Sequence, residues 1–274
     1  MGCMTDETLT LRQIAIADLL REERYLPISD LANRFTVTTQ TIRRDAAVLC
    51  DLGLARRLHK GIKAMDFPGT ENLAYAKRSM LNAIAKRDIA ELVAELVPVD
   101  QDVSVSLGIG TTPEQIAVAL ARRERLMVAT NNLNVAFALS GKPNIRVHVS
   151  GGQMRPLDRD FVGIEPIGFF SQYRVDFGIT GVGGIDENGD FYDFSAEEVA
   201  IRQAILGNCR QRVVVADTSK FGRSAPVRGG SLDSVDILVT DLPPPPSVQA
   251  AARQVGVRLV YRQKRNLNLL PSKD

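Results

Sequence analysis

The sequence predicts an α/β protein in two parts, a small helical module followed by a larger domain built on a largely parallel sheet. Three observations predict it. Up to about residue 66 apolar residues recur at helical spacing with little strand signal. A Pro- and Gly-bearing stretch, DFPGTENLAYAKRSMLNAIA, then intervenes and turns helical towards its end. After it, short β-like runs alternate with helical patterns almost to the end of the chain, as parallel strands joined by crossover helices require. The boundaries drawn on these shifts are 1–66 for the first module, 67–85 for a linker and connecting helix, 86–262 for the second domain and 263–274 for a C-terminal tail.

In the first module, LRQIAIADLLREE sets Leu11, Ile14, Ile16, Leu19 and Leu20 near helical spacing. A second helix, PISDLANRF, follows Pro27 with Ser29 as its expected cap, and a third runs through TQTIRRDAAVLCDL behind Thr38. Helix, short turn, helix is the pattern of a helix-turn-helix, whose second helix enters the DNA major groove. FTVTT is then the turn, and Val37, Ile42 and Leu49 face the core. Thr39, Gln40, Thr41, Arg43 and Arg44 are left for bases and phosphates. Beyond Gly53, LARRLHKGIKAMD alternates as a β-hairpin wing centred on Lys60–Gly61, which directs Arg56, Arg57 and Lys60 at the DNA backbone. Between Arg34 and Lys63 seven basic residues face only Asp45 and Asp51, a local excess that phosphate binding needs. Basic helices alone would equally suit a solvated bundle used for protein contacts. Turn, helix and basic wing in this order favour DNA.

The second domain has strand candidates at 103–107, 126–130, 145–150, 175–180, 212–217, 235–240 and 257–261. Helical patterns cover 86–97, 113–123, 132–139, 163–171, 196–207 and 247–255. The stretch LGIGTTPEQIA stands where the first of these strands meets the next helix. Thr112 is the expected cap, Pro113 the first helical residue and Gln115 the far end of a capping box. Backbone N–H groups at such a helix start favour an anion, so Gly108, Gly110, Thr111 and Thr112 are read as a phosphate cradle. Thr130 and Asn131 follow the second strand and Gly151 and Gly152 the third. They are expected on the same carboxyl edge of the sheet, where open α/β folds bind ligands. Lys220, in DTSKFG, and Arg155 are the candidate cations for the phosphate. PPPP at 243–246 is a stiff connector before a helix capped by Ser247.

Composition narrows the function. The chain is 45% hydrophobic and 24% charged with a net charge of +2, which suits an ordinary globular protein. Cys3, Cys50 and Cys209 are widely spaced and in no metal-ligand pattern, and only two histidines occur, so no metal or cofactor is expected. No apolar run reaches the length of a membrane span and the N-terminus lacks the pattern of a signal peptide, so a cytoplasmic protein is expected.

VTTQTIRRDAAVLCDLGLARRLHKG resembles the DNA-binding signature of the DeoR family of bacterial transcription regulators. The similarity continues through SLGIGTT, ATNNLNVAFAL, VSGGQMR, DFGITGVGGIDENG and VVVADTSKFGR, in the family's order. Ser106-Leu107-Gly108 departs from the Leu-Asp-Ala of many relatives, and Ala46 stands for a usual leucine. A serine or backbone group then has to replace the aspartate's contact to sugar hydroxyls. The resemblance implies a winged helix-turn-helix repressor of double-stranded operator DNA, acting as a homo-oligomer without membrane contact. It also implies a phosphosugar-isomerase-like sensor domain. Its effector would be a phosphorylated metabolite, glycerol 3-phosphate or a related sugar phosphate, which ties the regulator to glycerol metabolism. In TGVGGID, Thr180 and Gly183 stand where such isomerases carry two aspartates, and neither can act as a general base, although Glu197 and Glu198 lie nearby. No catalytic residue, and no enzyme, is expected.

Overall fold

A computed structural model describes residues 10–51, 54–64, 78–79 and 81–262. The chain divides into two compact units, Met1–Ile84 and Ala85–Asp274.

The first unit begins with helix α1 (Leu11–Glu23), closed at its start by a capping box in which Thr10 and Gln13 bond reciprocally. Strand β1 (Tyr25–Pro27), helices α2 (Ile28–Arg34) and α3 (Thr39–Asp51), and the wing strands β2 (Ala55–Leu58) and β3 (Gly61–Ala64) follow. The strands form a sheet of order β1-β3-β2, so the wing is anchored by a strand absent from the sequence reading. Ile16, Leu20, Leu26, Leu31, Ile42, Leu49 and Ile62 make one core. Ile42 and Leu49 are fully buried, as their helical spacing predicts, and Val37 of the turn packs against the same core.

Two details differ from expectation. Helix α2 starts at Ile28 rather than behind Ser29, because the Ile28 N–H donates to the Lys60 carbonyl and the wing sets the helix start. The wing turns on His59–Lys60, with Leu58 paired to Gly61. Gly61 belongs to β3 because β1 backs onto it: a Cβ there would lie 2.9 Å from the Tyr25 ring.

The second unit opens with α4 (Ala83–Leu96), whose first residues straddle the division. Seven strands follow in one sheet: β4 (Val103–Leu107), β5 (Leu126–Thr130), β6 (Ile145–Val149), β9 (Val175–Gly181), β12 (Cys209–Val215), β14 (Ile237–Val239) and β15 (Arg258–Val260). Their order is β15-β14-β12-β9-β4-β5-β6, and every neighbouring pair is parallel. Helices α4, α5 (Thr111–Leu120) and α6 (Leu133–Leu139) share a core with one face, including Ile89, Ile116, Val135, Val105, Val128, Ile179 and Val213. On the other face, α7 (Ile164–Ser171) and α8 (Ala196–Gly207) pack at Phe170, Ile201 and Ile205, and α9 (Pro246–Val255) packs beside Val214 and Leu238. Chain order runs β4-β5-β6 one way and β9-β12-β14-β15 the other, so the topological switch lies between β4 and β9.

The strands the sequence reading omits are the short ones: β7 (Gln153–Arg155) with β8 (Asp160–Val162), and β10 (Gly184–Ile185), β11 (Asp190–Asp193) and β13 (Val227–Ser231) in a small antiparallel sheet. Two to five residues, several of them glycine or charged, are too few to show an alternation. Helix α9 begins at Pro246 and not behind Ser247, because proline suits the first turn, and the Gln249 amide donates to the Pro244 carbonyl at 2.7 Å. Among the described residues no helix is long and apolar enough to cross a membrane.

Candidate nucleic-acid interface and effector site

On α3 the 3.6-residue period places Ile42, Asp45, Ala46 and Leu49 inward. Thr39, Gln40, Arg43 and Arg44 are exposed and Thr41 is half-buried. The Thr38 hydroxyl accepts from the Thr41 N–H at 3.2 Å, which caps the helix as expected. Arg56, Arg57 and Lys60 are exposed on the wing. All eight residues singled out for DNA are therefore at the surface of one small unit. Asp45 is not. It is buried, accepting from Arg12 Nε at 2.6 Å and from Gln13 Nε2 at 3.1 Å, both on α1. The acidic end of IRRD thus locks α3 to α1, and the hydrogen bond to Asp45 raises the Arg12 pKa. Arg12 lies 33 residues away in the chain, so no local pattern points to the pair.

The second site lies at the carboxyl ends of β4, β5 and β9. Gly108 donates its N–H to the Ile179 carbonyl, joining β4 to β9 across the switch point. A Cβ on Gly108 would stand 3.3 Å from the Thr180 methyl, so the Thr180 side chain faces Gly108 across the switch point. Gly110 adopts φ +108° and turns the chain straight into α5. The helix therefore starts at Thr111, and the expected capping box on Thr112 and Gln115 does not form. Pro113 becomes the third helical residue instead of the first. Asn132 fixes the loop by donating to the Gly110 carbonyl at 3.1 Å. Thr130 is fully buried; its hydroxyl donates to the Leu107 carbonyl and accepts from the Asn132 N–H, so it holds the loop together.

Three buried polar atoms at this edge have no hydrogen-bond partner among the described residues: Asn131 Oδ1, Ser150 Oγ and Thr180 Oγ1. Such groups are costly to leave unmade. Asn131 donates to the Phe161 carbonyl at 2.8 Å, and Phe161 N–H donates back to the Asn131 carbonyl, which lays the β7–β8 hairpin over the loop. Gly151 and Gly152 lie exposed between β6 and that hairpin. Gly152 has φ +128°, and a Cβ there would meet the Val162 carbonyl at 3.0 Å.

The expected cations fall in different surroundings. Lys220, half-buried, ends a short 3-10 turn after β12, two strands and so about 10 Å across the sheet from β4. The turn is organised by Asp217, which accepts from the Ser219 N–H, and by Asp241, which accepts from Thr218. Arg155 is engaged otherwise. Its guanidinium bonds both oxygens of Asp160, at 2.8 and 2.7 Å, and Glu198 at 2.7 Å. Burial disfavours its charge, but Asp160 and Glu198 outweigh burial and raise the pKa. Arg155 braces the hairpin to the start of α8, in a neighbourhood with more negative than positive charge.

One further group escaped the sequence reading. Asp193 on β11 accepts the Gly183 N–H at 2.7 Å and pairs with the buried Arg202 of α8, whose pKa burial lowers to about 10. A side chain on Gly183 would press on the Tyr192 carbonyl at 2.8 Å, so the turn after β9 requires glycine. Among the described residues, the run from Thr180 to Gly183 at the end of β9 includes no carboxylate.

Comparison with known proteins agrees with this division. Residues 12–66 match a family described as the DeoR-like helix-turn-helix domain, and residues 81–242 match the DeoR C terminal sensor domain. The chain is 39% identical to the glycerol-3-phosphate regulon repressor of Escherichia coli (strain K12), over 91% of this chain and 98% of that protein. It is 40% identical to the repressor of the same name from Haemophilus influenzae, over 85% and 90% of the two chains. Among solved structures, ribose 5-phosphate isomerase a from Methanocaldococcus jannaschii aligns over 52% of this chain and 56% of its own, at 18% identity and a TM-score of 0.38.

Proposed function

The chain belongs to the DeoR family of transcription regulators and is not an enzyme, and on that premise we propose that it is a repressor released from its operator by glycerol 3-phosphate. Arg43 and Arg44 of α3, with Thr39, Gln40 and Thr41 beside them, read base edges in the major groove, and Arg56, Arg57 and Lys60 of the wing hold phosphates. The protein works in the cytoplasm as a homo-oligomer, because one small helix-turn-helix module buries too little surface for tight, specific binding.

The observation that carries the effector reading is Thr180. Its hydroxyl is buried and without a partner among the described residues, and its methyl faces Gly108 at the switch point of the sheet, where ligands of open α/β folds bind. Beside it the start of α5 offers Gly110, Thr111 and Thr112 to a phosphate. Asn131, Gly151 and Gly152 border the polyol, Thr130 shapes the loop, and Lys220 supplies positive charge from the turn after β12. Arg155 serves the site by bracing the hairpin above it. The identity to glycerol-3-phosphate regulon repressors supports that effector over other sugar phosphates.

The test is an operator titration of wild type and Lys220→Ala, with and without glycerol 3-phosphate. Wild type should lose affinity on adding the ligand, while Lys220→Ala should bind operator normally and no longer release it. A wild type indifferent to glycerol 3-phosphate but released by another sugar phosphate would reassign the effector. Indifference to all of them, or an unimpaired Lys220→Ala response, would overturn the assignment of the pocket.

A further inference from the structure

Phe137, Val149, Met154, Leu157 and Ile164 all project into solvent from one region of the sensor unit; Phe137 is 69% exposed, Leu157 75% and Ile164 79%. The fold brings them to one corner. Strand β6, which ends at Val149, is an edge of the seven-stranded sheet. The β7–β8 hairpin carries Met154 and, at its tip, Leu157. That tip is tied to the start of α6, where the Leu133 N–H donates to the Arg159 carbonyl and the Asn134 amide to the Asp158 carbonyl. Phe137 lies one helical turn further along α6, and Ile164 begins α7 two residues after β8. Single exposed apolar residues are ordinary, but a cluster of this kind marks an interaction surface.

We propose that this corner is where a second copy of the chain docks, an inference that rests on the reading of the protein as a homo-oligomer. The rim supports a copy over other partners. Exposed Arg159 flanks Leu157 and exposed Glu165 flanks Ile164, so both signs border the patch and it can complement itself across a two-fold axis. A nucleic acid or an anionic membrane would select for one sign. Five such side chains make a patch on the order of 500 Å², and two copies joined on it bury about 1,000 Å², where specific interfaces begin. The position also gives the effector a lever. The hairpin that carries Met154 and Leu157 is hydrogen-bonded through Phe161 to Asn131, in the loop assigned to the ligand. A ligand that moves this loop bears directly on the contact between copies, and so on the pairing of DNA modules.

Sedimentation of the full chain at micromolar concentration tests the surface, using wild type, Leu157→Glu/Ile164→Glu and, as control, Val255→Glu. Val255 is 49% exposed on α9, away from the corner. The double variant should associate at least tenfold more weakly than wild type and the control as tightly as wild type. Hydrogen exchange at 153–165 provides a second reading on wild type alone, and protection there should rise with protein concentration. A double variant that associates like wild type, a control that weakens equally, or exchange indifferent to concentration would overturn the surface while leaving the oligomer reading standing. A wild type that stays monomeric with and without operator DNA would overturn both.

Discussion

At the scale of single residues, the IRRD run divides its work. Arg43 and Arg44 are exposed on α3 while Asp45 is buried against α1, so alanine in each should fail in a different way. Arg43→Ala or Arg44→Ala should cost about 1–3 kcal/mol in operator affinity if the arginine reads a guanine edge, with no change in melting temperature. Unaltered operator affinity in the double alanine variant would remove α3 from base reading. Asp45→Ala should instead lower the stability of the first unit by roughly 1–3 kcal/mol, because Arg12 and Gln13 lose their shared acceptor. Thermal unfolding distinguishes the two cases. Cys209 offers a pH test. Burial pushes its thiol from 9.0 up to about 11, so the folded chain resists forming a thiolate that the unfolded chain forms readily. This contribution is fully present below about pH 9 and is lost as the pH rises through 11. Between those values the unfolding free energy of wild type should fall more steeply than that of Cys209→Ala.

At the scale of elements, close approach decides what the strands tolerate. Gly178, in the middle of β9, faces Cys209: a Cβ there would lie 2.7 Å from the sulfur and 3.0 Å from the Ile205 carbonyl. Gly178→Ala should destabilise the sensor unit by about 1–3 kcal/mol through overpacking, read by urea unfolding. The β7–β8 hairpin depends on an ion cluster. Arg155→Leu would leave Asp160, 2% exposed, without its bidentate partner, and should cost about 3 kcal/mol. A hairpin that keeps its hydrogen-exchange protection in that variant would show the brace to be dispensable. On the linker side, the spacing of Leu73, Leu81 and Ile84 in the sequence predicts an apolar face that helps couple subunits. Leu81 packs into the core of the first unit, Ile84 is partly exposed, and Leu73 lies outside the described residues.

At the scale of the whole molecule, regulation requires the effector to prefer the conformation that does not bind DNA, since equal affinity for both would shift nothing. A coupling of roughly 1–3 kcal/mol is usual, which is about 5–150-fold in operator affinity. Linkage is reciprocal, so operator DNA should weaken effector binding by the same factor. Calorimetric titration of glycerol 3-phosphate into the protein with and without operator checks this, and equal affinities would exclude coupling. Thr111→Val should weaken ligand binding while leaving the operator affinity of the empty protein unchanged, because the cradle and the DNA surface lie in different units.

The sequence by itself determined what depends on local periodicity. The 3.6-residue repeat of α3 separates Ile42 and Leu49 from Arg43 and Arg44, and burial rewards that repeat wherever the helix packs. Strands at 103–107 and 126–130 and the helix at 196–207 were legible to the residue, because short β-like runs that stop at Gly108 and Asn131, and a helical period that starts behind Ser195, have few alternatives. Ser195 caps that helix as such a residue should, accepting the Glu198 N–H. What only the tertiary structure decided are meetings between distant segments. Strand order put β9 beside β4, and that neighbourhood brought Thr180 against Gly108. Asp45 found Arg12, Asp193 found Arg202, and Arg155 found Glu198, although none of these partners lies close enough in the chain to leave a pattern. Local sequence fixes which face of an element is apolar. Which faces and strand ends meet is set by the crossovers and by the free energy of the assembled core, and no single stretch of sequence carries that information.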